Sequence, residues 1–163
     1  MNLLSICLRP ATERDEGFLR LVYAESRREE LDQVAWPEGA REAFLHSQFD
    51  AQAKHYTQHY PGAEFLVIEA GGEPVGRLYL HRLATEIRIM DIALLPAARG
   101  QGIGTSLLKA LLDEGRDTSR LVSIHVEKFN RALHLYERLG FRQVEDRGVY
   151  LLLHWLPAAA ASA

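Results

Sequence analysis

The chain has one cysteine, Cys7, in 163 residues, so it cannot close an internal disulfide, and its thiol count fits a reducing cytoplasm. It also has no long hydrophobic run. Nothing approaches the roughly 20 consecutive apolar residues of a membrane-spanning helix, so no membrane partner is expected. The start, Met1 to Arg9, has no cationic stretch, and its short apolar patch breaks at Arg9-Pro10, which argues against a signal peptide. Nor is there a basic run. Nineteen Lys and Arg stand against 22 Asp and Glu, a net charge of -3, which makes nucleic acid a poor electrostatic partner. No internal repeat or linker is visible. The only biased segment is the small, uncharged stretch 158–163, expected to be a flexible tail. What is there, 47% hydrophobic and 25% charged residues, excludes disorder as the main state and suits a single domain over 1–157.

Hydrophobic periodicity gives an alternating order of elements. A strand is expected over Leu3 to Leu8, stopped by Arg9-Pro10. Thr12, with Asp15 three residues on, reads as a helix start, followed by Phe18, Leu19, Leu21 and Val22 on an apolar face. Trp36-Pro37-Glu38-Gly39 breaks the chain before a second helix, about Ala40 to Tyr60. Strands Glu64–Ala70 and Pro74–His81 flank Gly71-Gly72, a hairpin signal. A third strand, Glu86–Leu95, ends at Pro96. A leucine-faced helix over Gly102–Glu114 is expected to close at Gly115, and a strand over Leu121–Val126 precedes a helix over Asn130–Leu139 capped by Gly140. Strands Phe141–Asp146 and Val149–Trp155 join at Arg147-Gly148. This order implies an α/β protein with a mixed sheet covered by helices.

The sharpest local feature is Arg99-Gly100-Gln101-Gly102-Ile103-Gly104-Thr105, between a strand and a helix. Its glycines leave backbone N–H groups unobstructed, and the helix N-terminus adds a positive dipole, so the loop suits a pyrophosphate. A Walker loop needs a lysine that does not follow Gly104. A dinucleotide fingerprint needs Gly-x-Gly-x-x-Gly early in a βαβ unit, and the spacing here is Gly-x-Gly-x-Gly. A ligand-free strand-to-helix turn is the plainer alternative. The second constellation runs from Asn130 to Phe141. Taken alone, Leu133, Tyr136 and Leu139 are core positions of a capped helix.

Together these two stretches resemble the GNAT superfamily of acetyl-CoA-dependent N-acetyltransferases. The family's phosphate loop, Gln/Arg-x-x-Gly-x-Gly/Ala, is matched by Arg99, Gly102 and Gly104, and its later signature by Asn130, Ala132, Tyr136, Gly140 and Phe141. Leu8 to Thr12 followed by Asp15 looks like the family's first strand and helix. The resemblance implies a mostly antiparallel sheet with splayed fourth and fifth strands and helices on both faces. It also implies acetyl-CoA as co-substrate, with no metal. Backbone from Ile92, Ala93 and Leu94 would pair with the pantetheine arm. Arg99, Gly100, Gln101, Gly102, Ile103, Gly104 and Thr105 would hold the pyrophosphate, and Asn130, Leu133 and Tyr136 would line the other wall.

The mechanism implied is direct attack in a ternary complex. An amine, protonated at neutral pH with a reference pKa near ~10, must lose a proton first. A backbone N–H near Ile92 would steady the oxyanion, and Tyr136 would protonate the departing thiolate. At the family's usual base positions stand Arg88 and Met90, neither of which can serve. Asp91, Glu86, His125 and water remain as bases, with Asp91 preferred for its place on the strand. Glu86 shares a face with Arg88 and could pair with it instead.

A small-molecule amine, such as a polyamine, amino acid or drug-like amine, is the expected acceptor. A protein N-terminus or lysine is the alternative, and a non-catalytic acyl-CoA sensor is a rival of another class. Glu25, Glu29, Glu30 and Asp32 suit a cationic acceptor or, with Arg27 and Arg28 interleaved, a solvated face. Trp36 reads as a lid or a loop anchor. His55 and His59, one turn apart, lack a third metal ligand. Cys7 reads as an inert core residue. The family often dimerises, and Val149–Trp155 offers an apolar edge for a homodimer.

Overall fold

In the computed structural model, which describes residues 5–157, the elements follow the expected order. They are β1 (Ile6–Pro10), a 3-10 turn (Glu13–Asp15), α1 (Glu16–Ser26), α2 (Arg28–Leu31), α3 (Ala40–His59), β2 (Glu64–Ala70), β3 (Glu73–Arg82) and β4 (Glu86–Leu94). After a 3-10 turn at Pro96–Ala98 come α4 (Ile103–Thr118), β5 (Leu121–Glu127), α5 (Leu133–Arg138), β6 (Arg142–Arg147) and β7 (Tyr150–Trp155). The strands hydrogen-bond in the order β1-β2-β3-β4-β5-β7-β6, a mixed seven-stranded sheet. The residues expected to form the tail, 158–163, and the first part of the Leu3–Leu8 strand lie outside the described residues.

The fold divides into two compact units. The first comprises the described residues up to Tyr79 together with Ile92–Gln101, and the second Leu80–Asp91 together with the described residues from Gly102 onward.

In the first unit β1 pairs antiparallel with β2, from Ile6↔Ala70 to Pro10↔Leu66. The strand thus runs through Arg9-Pro10 rather than stopping there. Proline is tolerated because β1 is an edge strand and the ladder ends at that residue. Edge placement also corrects the reading of Cys7, which is exposed rather than core. The helix start at Thr12 holds: the Thr12 N–H donates to Asp15 Oδ2 at 2.7 Å. Asp15 then takes a two-pronged bond from Arg9, at 2.9 and 2.8 Å, tying the first helical turn to β1. Leu19, Tyr23, Phe49 and Val67 form a core between α1, α3 and β2. The β2–β3 turn uses Gly71 and Gly72 at φ +59° and +84°, the geometry a two-residue hairpin of matching twist requires.

In the second unit β4 and β5 pair in parallel over only four residues, from Glu86↔Leu121 to Ile89↔Ile124. Ile87, Ile89, Val122 and Ile124 on these strands are almost fully buried, and α4 packs against β5. β5 pairs antiparallel with β7, and β7 with β6. β7 is therefore interior, which corrects its reading as an apolar edge. The edge is β6, Arg-Gln-Val-Glu-Asp-Arg, exposed along its whole length and charged in the way edge strands avoid self-pairing.

One glycine and one helix start differ from expectation, and the Gly140 cap holds. α4 does not close at Gly115 but continues to Thr118, with Ser119 left-handed at φ +55°. Gly115 is inside the helix because a Cβ there would sit 2.9 Å from both the Arg120 carbonyl oxygen and the Trp155 ring. At the second signature the helix is shorter than expected, Leu133–Arg138, because Asn130 makes a side-chain turn instead: its Oδ1 accepts the Ala132 N–H at 2.8 Å. Gly140, at φ +102°, ends α5, where the Phe141 and Gly140 N–H groups bond the carbonyls of Tyr136 and Glu137 at 3.0 Å each.

Candidate active site

The end of β4 and the loop that follows belong together in the first unit. Gly76 on β3 lies so close to this strand that a Cβ would fall 2.3 Å from the Ala93 carbonyl oxygen and 2.8 Å from the Leu94 side chain. The Leu95 N–H bonds the Val75 carbonyl at 2.8 Å. Gly76 was not singled out in the sequence; the available signal was a glycine inside a strand pattern, which marks close backbone approach. Ile92, Ala93 and Leu94 are thereby fixed in place.

Arg99 turns back on this segment, its Nε donating to the Leu94 carbonyl at 3.0 Å, and Gln101 Nε2 donates to the Ala97 carbonyl at 2.8 Å. Both side chains thus brace the loop from within. Gly100 and Gly102 adopt φ +73° and +85°, and a Cβ at either would meet nothing within 4 Å. Their need is conformational, and the space beside them is open.

α4 starts at Ile103, and its first bond from within is Ser106 N–H to the Gly102 carbonyl at 2.9 Å. The N–H groups of Ile103, Gly104 and Thr105 therefore have no intrahelical acceptor, which is the local chemistry of an anion site. A shallow groove of about 500 Å³ beside them is lined by Gly102, Thr105, Ser106 and Lys109, with Ala110 and Asp113 further along α4.

Tyr136 and Asp91 lie in the second unit and feel one another. Tyr136 is 5% exposed, edge-on to Phe141 with ring centroids 5.7 Å apart. Burial pushes its hydroxyl well above the usual tyrosine range, and the negative charge of Asp91 raises it further. A phenol in that state keeps its proton at neutral pH and stands as a donor rather than a base. Leu133 is half-buried on the same short helix, and Asn130 is exposed ahead of it.

The other base candidates are committed elsewhere. Glu86 accepts from Arg88 Nε at 3.1 Å and from the Ser123 hydroxyl, as its shared face with Arg88 anticipated. Burial opposes its ionisation, but Ser123 and Arg88 outweigh that and hold the carboxyl below its ordinary range. His125 Nε2 meets Arg147 Nη1 at 2.9 Å, and burial, then the positive charges of Arg88 and Arg147, keep the ring below its usual pKa. Both residues belong to a paired network across β4, β5 and β6.

Of the acids around the end of α1, Glu30 is held by Arg27 at 3.1 Å, Asp32 by Arg41 at 2.6 Å, and Glu25 Oε1 by Arg28 at 3.1 Å. Glu29 lies in α2. Glu25 Oε2, however, is buried and has no hydrogen-bond partner. Trp36 is an anchor: its Nε1 donates to the Leu31 carbonyl at 3.0 Å and its ring packs on Phe44 at 5.3 Å. His55 and His59 stack on each other 4.6 Å apart, within an aromatic group that includes Tyr60. Among the described residues no three His, Cys, Asp or Glu side chains gather as a metal site would need, and no helix is long and apolar enough to cross a membrane.

The profile of the acetyltransferase (GNAT) family matches residues 22–141. The thialysine N-epsilon-acetyltransferase of Sus scrofa is 32% identical over 160 residues, covering 88% of both chains. The N-alpha-acetyltransferase RimI of Mycobacterium tuberculosis is 31% identical over 119 residues, 71% of this chain, and the match spans 66% of RimI's own length. Among solved structures, the PaiA N-acetyltransferase of Thermoplasma acidophilum, in complex with coenzyme A, superposes with a TM-score of 0.72 at 18% identity, over 94% of this chain and 99% of that one. A GNAT acetyltransferase from Elizabethkingia anophelis with acetyl-CoA bound superposes at 0.58 and 19% identity, over 93% and 97%. At these identities the likeness speaks for the fold.

Proposed function

The chain belongs to the acetyltransferase (GNAT) family, and on that footing we propose that it transfers the acetyl group of acetyl-CoA to the amine of a small molecule. The observation that carries the catalytic reading is the buried Tyr136 hydroxyl, held protonated beside Asp91 at the family's signature position. The loop fits the co-substrate. Open space beside two left-handed glycines, followed by three helix-start N–H groups, suits a pyrophosphate. The E. anophelis relative, solved with acetyl-CoA bound, supports the same assignment.

Acetyl-CoA supplies an activated thioester. Ile92–Leu94 present backbone groups to the pantetheine arm, and Arg99–Thr105 hold the phosphates. The family signature would add Asn130 and Leu133 as further co-substrate contacts. The incoming amine first gives up a proton, to Asp91 directly or through water. Its nitrogen then bonds to the acetyl carbon and the carbon–sulfur bond breaks. Tyr136 passes its proton to the thiolate, the new amide nitrogen releases its second proton to water, and the tyrosinate is reprotonated from solvent. A backbone N–H near Ile92 polarises the carbonyl throughout.

Glu25 supports a cationic acceptor. A buried carboxylate oxygen without a partner is costly, and an ammonium would satisfy it. The thialysine enzyme's name points the same way, toward a small amino-bearing molecule. A protein N-terminus is the second reading, favoured by the match to RimI.

Thermal melts with acetyl-CoA, CoA, ATP and NAD test the co-substrate. At ~100 times its dissociation constant a ligand adds about 2.7 kcal/mol, roughly 5–10 °C for this chain length. A shift with acetyl-CoA and CoA alone is expected. Its absence at saturation would overturn the proposal. Thiol release against a panel of polyamines, amino acids and short N-terminal peptides then separates the two acceptor readings.

A further inference from the structure

Phe129 is 96% exposed, the most fully solvated large apolar side chain among the described residues, and no step described above uses it. It stands in the second unit, in the short loop between β5 and α5, directly before Asn130. That loop is not slack. The Asn130 N–H donates to the Glu127 carbonyl at 3.0 Å, and the Leu133 N–H to the Asn130 carbonyl at 3.1 Å. On the other side, the Lys128 N–H crosses to the Val149 carbonyl at 3.2 Å, and Val149 is itself 67% exposed. The backbone around Phe129 is therefore fixed, and the ring is held out into water by an ordered turn. Lys128 Nζ is committed to Asp146 at 2.9 Å, so what position 129 itself offers a ligand is an uncharged π face.

The topology of the same unit places this face. α4 packs against β5 and feeds it through only Ser119 and Arg120, whose N–H bonds the Gly115 carbonyl at 2.9 Å. Helix and strand therefore run antiparallel. The 16 residues of α4 span about 24 Å and the 7 of β5 about 23 Å, so the start of α4 comes level with the end of β5. The open N–H groups of Ile103, Gly104 and Thr105 and the Phe129 loop thus emerge at one end of the packed pair. Coenzyme A joins an adenosine directly to its pyrophosphate, and adenine is the flat, uncharged ring system of that molecule. An aromatic side chain takes a base by stacking on its face, and a ring already held in place loses little freedom in doing so. We propose that Phe129 stacks on the adenine of coenzyme A when the pyrophosphate occupies the start of α4. The contact would separate coenzyme A from adenine-free donors such as phosphopantetheine, and it rests on the acetyl-transfer reading above.

Calorimetric titration of the full chain tests it, with coenzyme A and with 4′-phosphopantetheine, which keeps the arm and one phosphate but has no adenosine. Phe129→Ala should weaken coenzyme A by at least about fivefold, the low end of what one stacked base contributes. Its affinity for phosphopantetheine and its melting temperature should match the parent's, because a side chain so exposed packs on nothing. Phe129→Trp restores a stacking face and should keep the parent's affinity. Its added fluorescence, taken as the difference from a parent that carries Trp36 and Trp155, should be quenched by coenzyme A and not by phosphopantetheine. The proposal is overturned if Phe129→Ala binds coenzyme A as tightly as the parent, if it loses both ligands equally, or if the added emission of Phe129→Trp ignores coenzyme A. Conversion of a dimer to a monomer by Phe129→Ala in sedimentation, at unchanged coenzyme A affinity, would also overturn it and make the ring an interface between copies. A parent that binds coenzyme A as tightly as Phe129→Ala does removes this inference alone. A parent that binds no coenzyme A removes the acetyl-transfer reading and this inference with it.

Discussion

Tyr136 tests the chemistry at a single oxygen. Tyr136→Phe removes the proton donor and keeps the ring packed on Phe141, so turnover should fall by about 10² or more while acetyl-CoA affinity stays within about twofold. Steady-state kinetics alongside a binding titration check both halves, and equal loss of rate and affinity would mark Tyr136 as a wall residue only. Asp91 adds a pH test. Its negative charge helps to hold the phenol's proton, so Asp91→Asn should move the alkaline limb of the residual kcat profile to lower pH. A limb that stays put would separate the two residues. Tyr136 was legible because its spacing from Asn130 and Gly140 matched a family signature. Asp91 came from counting along the strand. Cys7 was not legible, since an apolar strand says nothing about whether it lies at an edge.

At the level of elements, two glycines carry opposite lessons about how a sheet and a helix are placed. Gly76→Ala would drive a methyl group into the Ala93 carbonyl, backbone against backbone, so β3 must move from the end of β4. Overpacking of this kind costs about 1–3 kcal/mol, and a drop of roughly 2–4 °C in melting temperature per kcal/mol is expected. Acetyl-CoA affinity should fall with it, because Ile92–Leu94 shift. Gly115→Ala probes α4. Propensity alone predicts a gain of about 1 kcal/mol for alanine inside a helix. The contacts with the Arg120 carbonyl and Trp155 reverse that sign, so the variant should melt lower than the parent. A higher melting temperature would show that the chain relaxes around the methyl group. Sequence pattern places nearly every element here because helix and strand periods are local properties. Gly115 misled because a C-cap glycine and a close-packing glycine look identical until Trp155, 40 residues on, folds back. The short α5 misled for a related reason: Asn130 satisfies its own turn instead of starting a helix.

Across the whole molecule, acid should not act evenly. Among the described residues five carboxylates are held below their ordinary range. Asp15 in the first unit is held by Arg9 and the Thr12 N–H. In the second unit, Glu114 is held by Arg82 against the opposing effect of burial, Glu145 by Arg147, and Asp146 by Lys128 and the Gly148 N–H. Glu86 completes the set, held by Ser123 and Arg88 against burial. A carboxyl with a depressed folded pKa contributes stability that is complete above its unfolded value, about 4, and is lost as pH falls through the lower folded value. Stability should therefore be flat in these groups from pH 7 to about 5 and decline below that. Four of the five lie in the second unit, and Glu86 and Glu114 are the less exposed pairs there, where solvent and salt screen least. His125 adds to the slope in the same unit: a ring whose folded pKa is depressed must take up a proton on unfolding, so stability also falls as pH drops below about 6.5. Only part of this was readable in the sequence: the shared face of Glu86 and Arg88 and the Thr12–Asp15 helix start are local patterns, whereas the Arg82 partner of Glu114 and the Ser123 partner of Glu86 lie 32 and 37 positions away. Hydrogen-exchange protection factors at pH 6 and pH 3.5 give the test. Amides of β5 and β7 should lose more protection than those of α3 and β2, and Asp15→Asn should widen the difference, because the first unit then starts from lower protection at pH 6 and has less to lose. Equal loss in both units would mean that the paired carboxylates do not set how this fold responds to acid.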